Sequence, residues 1–216
     1  MIRGKYAAFF FDFDGVLADS VEVKTRAFAR LFEPYGLDIV SKVVDHHRKN
    51  GGMTRVDKFR HYYQEFLGKP LDKAELQRLC NDFSRLVVDE VVTALEIPGA
   101  EEFLKKWYKW VQCFVVSATP DEEIKEIVKR RGMDIYFHEI LGSSCSKSDN
   151  VNYLLNKYGF AFRQCLFFGD AESDYRAAAA SGVDFIGILP DSNAPLLKIA
   201  PDIRWYKNFL EIESQD

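Results

Sequence analysis

The run Tyr6-Ala7-Ala8-Phe9-Phe10-Phe11 carries no charge and ends abruptly at Asp12-Phe13-Asp14-Gly15. A segment this short and uniformly apolar has no face to spare for water, which suits a strand buried on both sides in a parallel sheet. Two carboxylates directly after it are costly to bury unless they are paired, hydrogen-bonded or bound to a cation. The rest of the chain must therefore deliver compensating groups to the end of this strand.

Three later stretches repeat the pattern. Gln112 to Val116 precedes Ser117, Cys165 to Phe168 precedes Gly169-Asp170, and Phe185 to Leu189 follows Gly182. Helical spacing runs over Glu101 to Trp107, Asp121 to Arg130, Asp149 to Lys157 and Glu172 to Ser181. The second of these opens with acids and closes with bases, as the helix dipole favours. Strands alternating with helices of this length predict a doubly wound, Rossmann-like α/β fold with a parallel sheet.

The interval between the first two strands differs. From Ala18 to Leu95 the patterns are helical: Val21 to Phe32, Ser41 to His47, Val56 to Phe66 and Lys73 to Val92. Gly51-Gly52 and Gly68-Lys69-Pro70 punctuate them, and Ile97-Pro98-Gly99 marks the return to the sheet. The expected organisation is a catalytic core of residues 1–17 and 95–216 with an inserted helical cap of residues 18–94.

Composition narrows the function. With 216 residues, 47% hydrophobic and 14% aromatic, the chain can bury a real core. A formal net charge of -4 argues against nucleic-acid binding, which rests on a basic face. The N-terminal apolar run is too short for a signal-peptide core or a membrane span. Cys80, Cys113, Cys145 and Cys165 are scattered without metal-ligand spacing, and Cys113 and Cys165 sit in apolar runs. A reducing, cytoplasmic setting is expected.

Ligands of parallel α/β sheets bind at the carboxyl ends of the strands. Those ends deliver Asp12 and Asp14, then Ser117 and Ala118, then Gly169-Asp170-Ala171-Glu172-Ser173-Asp174; Lys147 opens a helix after Gly142-Ser143-Ser144-Cys145-Ser146. The set suits cleavage of a phosphate monoester. A carboxylate can act as nucleophile, clustered carboxylates suit Mg2+, and the remaining groups can hold and neutralise a transferring phosphoryl group. With Asp12 as position 1 of a loop, Gly15 falls at position 4, where an EF-hand loop would need it at position 6.

DFDGVLADS, VVSAT, the lysine of SSCSKSDN, and GDAESD occur in this order over essentially the whole chain. In this the sequence resembles the haloacid dehalogenase-like (HAD) hydrolase superfamily. The likeness is to the helical-cap (C1) branch that includes β-phosphoglucomutase and phosphoglycolate phosphatase-type enzymes. The resemblance implies Asp12 as nucleophile and metal ligand, and Asp14 as general acid and base that also meets the metal through its backbone carbonyl. It implies Ser117 as a phosphoryl-oxygen ligand, Lys147 as the charge-balancing lysine, Asp170 as metal ligand, and Asp174 as ligand or support. Gly15 and Ala118 would line the phosphate. The cofactor implied is Mg2+, the substrate a small phosphate ester such as a sugar phosphate, and the assembly a monomer or weak homodimer. Asp14 favours phosphoryl chemistry over dehalogenation. Two departures stand out: Ser148 follows the lysine where the family often has proline, leaving Lys157 as a competitor, and the second motif continues Ser-Ala-Thr-Pro.

Asp45 to Lys58 surrounds Gly51-Gly52 with Arg48, Lys49, Arg55 and Lys58. It resembles the specificity loop of capped members, which would place Arg48, Gly52 and Arg55 at the substrate. The competing reading is a basic helical face with Thr54 as its N-cap. His46 and His47 are expected on the surface, and His61 to Phe66 in the cap core. A phosphomutase of the β-phosphoglucomutase type and a non-catalytic phospho-aspartate switch are the alternatives to a phosphatase.

Overall fold

The structure, a computed structural model, describes residues 4–214. Six strands form one sheet: β1 (Ala8–Phe11), β2 (Gln112–Val116), β3 (Glu139–Leu141), β4 (Cys165–Gly169), β5 (Asp184–Ile188) and β6 (Trp205–Tyr206). They are parallel and ordered β3-β2-β1-β4-β5-β6. β1 is central, with Phe9 opposite Cys113 of β2 on one side and Leu166 of β4 on the other. Successive residues of a strand face opposite ways, and here both faces are buried. Phe9 and Phe11 pack with Phe103, Trp107, Phe168 and Phe209, whereas Ala8 and Phe10 pack with Phe114, Phe167, Val151 and Leu154. Phe11 stacks on Phe168 at 5.0 Å. Each buried phenylalanine contributes roughly 1.5–3 kcal/mol, so β1 is anchored from above and below.

The helices are α1 (Val21–Phe32), α2 (Leu37–Lys49), α3 (Arg55–His61), α4 (Lys73–Thr93), α5 (Ala100–Trp107), α6 (Asp121–Arg130), α7 (Lys147–Tyr158), α8 (Glu172–Ser181), α9 (Pro195–Ile199) and α10 (Phe209–Glu213). α5, α6 and α10 cover the face of Phe9, and α7 and α8 cover that of Phe10. α1 to α4 all lie between β1 and β2, and no strand occurs among them. Thr54 caps α3 by accepting from the Asp57 amide at 3.2 Å, and Asp72 caps α4 in the same way from Glu75 at 2.8 Å. α3 runs on into a π-helical segment, Tyr62–Leu67, which buries Tyr62 and Tyr63 among Phe28, Phe32 and Phe59. Tyr62 and Tyr63 of the stretch expected in the core are thus in it, whereas Gln64 and Glu65 are exposed.

Two segments join this block to the sheet, and they hydrogen-bond to each other. Asp19 N donates to Leu95 O at 2.8 Å and Ile97 N to Leu17 O at 3.2 Å. Arg131, just after α6, donates to the carbonyls of Val91, Val92 and Ala94 at 2.8, 3.1 and 2.8 Å, satisfying the open end of α4.

Three expectations need correction. β3 and β6 are absent from the sequence reading because strands of three and two residues leave no apolar run. Lys157 is no competitor for Lys147: it is exposed and pairs with Glu139 at 2.9 Å. Finally, His47 is not on the surface. It is 3% exposed, one helical turn from buried Val43 on the face of α2 that meets α1, with its ring 4.9 Å from that of Phe28. His46 is half-buried and stacks on His61 at 4.1 Å.

Candidate active site

Asp12 leaves the end of β1 with both oxygens held. The Phe13 amide donates to Oδ1 at 2.7 Å, and Lys147 Nζ lies 2.8 Å from Oδ2. The same lysine reaches Asp174 Oδ1 at 2.5 Å, while Asp174 Oδ2 accepts from the Ala171 amide at 3.0 Å. Asp174 thus closes the first turn of α8 and aims Lys147 at Asp12. Lys147 starts α7 directly after the N-cap Ser146, which accepts from Asp149 N at 3.1 Å.

Asp14 turns the other way. Ser20 Oγ donates to its Oδ1 at 2.6 Å, Thr119 Oγ1 lies 3.2 Å from Oδ2, and Lys24 of α1 forms an ion pair with it. Burial pushes the Asp14 carboxyl up, but Lys24, Ser20 and Thr119 outweigh it and hold the pKa below the usual carboxylate value. Lys24 also reaches Thr119 Oγ1 at 2.8 Å.

Ser117 sits at the end of β2, buried behind Ala118 and Thr119, where its Oγ accepts from the Thr119 amide at 3.1 Å. Asp170 follows β4. Ligand oxygens of Asp12, Asp170 and Asp174 all lie within 4.8 Å of one another. Gly15 makes room for this cluster: its φ of +79° is left-handed, and a Cβ there would stand 2.5 Å from Asp170 Oδ2.

The cluster's charge bears on what it could hold. Burial, then repulsion from neighbouring aspartates, raises the pKa of Asp170, and burial raises that of Asp12 against the pull of Lys147. Burial would lower Lys147, but Asp12 and Asp174 outweigh it and raise it. Three carboxylates thus share one lysine, an excess of negative charge that a divalent cation would offset. All-oxygen donors suit Mg2+.

The helical block roofs these groups. A cavity of about 50 Å³ is lined by Asp12, Asp14 and Asp170 below and by Phe28, His47 and Lys58 above, with Lys24, Arg55, Ala118 and Thr119 on its walls. Of the loop residues expected at the substrate, Arg55 lines it but is held by Glu123 of α6 and by Ser84. Arg48 is exposed, pairs with Glu22 at 3.3 Å, and borders a larger outer cleft instead. Gly52 borders that cleft too, so close to α8 that a Cβ would meet Ser173 Oγ at 1.8 Å. Both readings of Thr54-Arg55 therefore contain part of the arrangement: Thr54 is a cap, and Arg55 faces the cavity. Lys24 and Thr119 carry no sequence signal as cavity residues, Lys58 is read in the sequence only as part of the basic cluster, and His47 only as a surface residue. Lys24 lies one turn beyond Ser20 on a helix that follows the aspartates directly, and only that proximity could have signalled it.

A doubly wound parallel sheet that presents aspartates from two strand ends around a buried lysine, beneath a helical roof, defines a class of α/β enzyme with a carboxylate-centred site. The family model described as haloacid dehalogenase-like hydrolase matches residues 6–182. The chain belongs to that family of hydrolases. It is similar to a phosphoglycolate phosphatase of Haemophilus influenzae, 24% identical over 202 residues, covering 89% of this chain and 90% of the relative. A phosphorylated carbohydrates phosphatase of Thermotoga maritima is 28% identical over 192 residues, covering 83% of each. Among solved structures, a predicted phosphoglycolate phosphatase from Haemophilus somnus superposes with a TM-score of 0.76 over 98% of both chains at 20% identity, a likeness of fold. No helix among the described residues is long and apolar enough to cross a membrane.

Proposed function

We propose that this hydrolase is a Mg2+-dependent phosphatase that cleaves a small phosphate monoester through an aspartyl-phosphate on Asp12. The observation that carries this reading is Lys147 set between Asp12 and Asp174 beside Asp170, a nucleophile already oriented and paired with a cation. Relatives named as phosphatases of phosphoglycolate and phosphorylated carbohydrates support the same chemistry. Asp12 and Asp170, with the backbone carbonyl of Asp14, are the groups that would hold Mg2+. Asp174, part of the same carboxylate cluster, holds Lys147 and the Ala171 amide and so orients the lysine. When bound, the ion would offset the repulsion between the phosphoryl oxygens and the carboxylates.

In the first step Asp12 attacks phosphorus, the ester P–O bond breaks, and the leaving oxygen takes a proton from Asp14. In the second, Asp14 removes a proton from water, the water oxygen attacks phosphorus, and the bond to Asp12 breaks to release inorganic phosphate. Lys24 holds Asp14 ionised, which suits the base role; an incoming phosphate dianion nearby raises a carboxyl's pKa and supplies the acid role. Lys147 stabilises charge on Asp12, while Ser117 and the Ala118 and Gly15 backbones hold phosphoryl oxygens.

Residues 18–94 serve as the cap over a core of 1–17 and 95–216, with the mutually bonded segments at 17–19 and 95–97 as its seam. Every proposed group comes from one chain, so a monomer suffices. The four free cysteines fit a reducing cytoplasm. Hydrolysis is favoured over a mutase because Arg48 and Arg55, the cations that would hold a second phosphate, are paired with Glu22 and Glu123.

The test is phosphate release from a panel of esters with and without Mg2+, alongside Asp12→Asn. Metal-dependent release abolished by the substitution supports the mechanism. Release that survives it sinks the mechanism, isomer interconversion without release indicates a mutase, and a long-lived phospho-aspartate without turnover indicates a switch.

A further inference from the structure

The catalytic groups stand in a space too small for a whole substrate. The cavity over Asp12 and Asp14 measures about 50 Å³, room for roughly four waters. The three phosphoryl oxygens and the bridging oxygen of a phosphate ester fill that room, so the body of the alcohol must lie elsewhere. A second space adjoins the first. The outer cleft measures about 680 Å³, within the size range of small-molecule sites. Val21, His47, Gly51, Met53 and Asp170 are walls common to both.

The cleft turns apolar away from the carboxylates. Ile97, Pro190, Pro195 and Ile199 line its core side, and Val21 and Met53 its cap side. Pro195 and Ile199 share a face of α9, four residues apart. Leu196, on another face of that helix, packs with Leu189, Ala194 and Ala200 in a small core of its own, which fixes the orientation. Ile199 is 48% exposed. One exposed isoleucine is ordinary on a protein surface, but six apolar residues around one opening beside a catalytic site form a binding surface. The charges at the opening pair with each other, Arg48 with Glu22 and Arg176 with Glu172, while Asp19, Lys49 and Lys207 stand exposed at its edge. No excess of either charge competes with the apolar floor.

We propose that the outer cleft holds the leaving alcohol, so that the preferred substrates are phosphate esters of alcohols with an apolar, ring-sized body and Ile199 helps to set the specificity. The proposal rests on the phosphatase reading and names the alcohol for the same site. With the phosphoryl group over Asp12, the alcohol passes the shared wall at Met53 and Asp170 and covers Pro195 and Ile199. That apolar surface leaves water equally in the ground state and the transition state. The discrimination therefore falls on KM and Kd and leaves kcat alone.

The experiment compares ethyl phosphate with 2-phenylethyl phosphate, whose alcohols are alike as leaving groups and differ in apolar surface. Initial rates are measured for the wild type, Ile199→Asp and the milder Ile199→Ser. Binding is measured by calorimetry in the Asp12→Asn background with and without Ile199→Asp. The expected result is a wild-type kcat/KM for the phenylethyl ester roughly tenfold or more above that for the ethyl ester, carried by KM. The ratio should fall part of the way in Ile199→Ser and toward unity in Ile199→Asp, and the Kd ratio should follow it. A wild-type ratio near unity overturns the proposal, as does a ratio that Ile199→Asp leaves in place. Free 2-phenylethanol should compete with the phenylethyl ester; if it instead changes turnover of ethyl phosphate without competing, the cleft serves an effector and the proposal falls. If the wild type turns over no ester yet Asp12→Asn binds the phenylethyl ester selectively through Ile199, the phosphatase reading fails while the recognition stands. Thermal unfolding of both Ile199 variants confirms that the comparison is made on folded protein.

Discussion

Glu123 of α6 grips the guanidinium of Arg55 of α3 with both carboxylate oxygens, across the seam between the helical block and the sheet. The side chains are 8% and 6% exposed. Ser84 of α4 bonds to both, accepting from Arg55 at 2.7 Å and donating to Glu123 at 2.6 Å. Phe83 lies under the guanidinium at 4.6 Å. An arginine placed where a specificity loop would meet substrate is instead spent on joining two parts of the chain.

Removing one partner of such a buried pair leaves an uncompensated charge. Glu123→Ala should lower the unfolding free energy by about 3–5 kcal/mol, whereas Arg55→Met combined with Glu123→Leu should recover much of that loss. Urea denaturation of Arg55→Met, Glu123→Leu and the double variant gives the coupling energy. Simple additivity would mean the pair does not act as a unit.

Gly15→Ala tests the fit of the carboxylate cluster. The new Cβ meets Asp170 Oδ2 at 2.5 Å in a left-handed backbone, so strain of about 1–2 kcal/mol is expected. Displacing Asp170 by even an ångström should lower turnover about 100-fold. Activity on any ester the wild type cleaves provides the measurement.

If the cluster binds Mg2+, chelation should abolish turnover and readdition restore it. The ion should also raise native stability, by about 2.7 kcal/mol at a hundredfold excess over its Kd. Asp170→Asn should remove most of that gain. A thermal shift equal in wild type and variant would place the ion elsewhere.

Stability should depend on pH through Lys58. Its folded pKa is about 7 against 10.5 for an ordinary lysine, so between these values the unfolded chain holds more protons. The unfolding free energy from this group therefore rises with pH across that window and is flat below it. Lys24, Asp14, Asp170 and His47 are the charged or titratable groups facing it from α1, the strand ends and α2. Lys58→Met should flatten the rise and raise stability near pH 7 by about 1 kcal/mol. Denaturation midpoints from pH 6.5 to 10 decide it.

Much of this arrangement is legible in the chain itself. β2, α1, α6 and α8 lie where their patterns place them, because each has an uninterrupted apolar run or stripe bounded by turn or capping residues. Asp12, Asp14, Lys147 and Asp170 converge because they sit at strand ends or a helix start, and a parallel sheet gathers such ends on one edge. β3 escaped notice because three half-buried residues at one side of a sheet carry no signal of their own.

The chain carries this local grammar in its own pattern: the periods, the caps and the carboxylates set just past the strands. Pairings between distant residues came only with tertiary structure. Nothing in the surroundings of Arg55 names Glu123, and nothing in those of His47 shows that a neighbouring helix will bury it against Phe28. Whether a lysine is exposed, as Lys157 is, or buried beside a cavity against His47 and the Gly51 carbonyl, as Lys58 is, depends on which side chains the packing brings within a few ångströms. Charge is short-ranged in its effect and burial is collective, so both are properties of the folded whole.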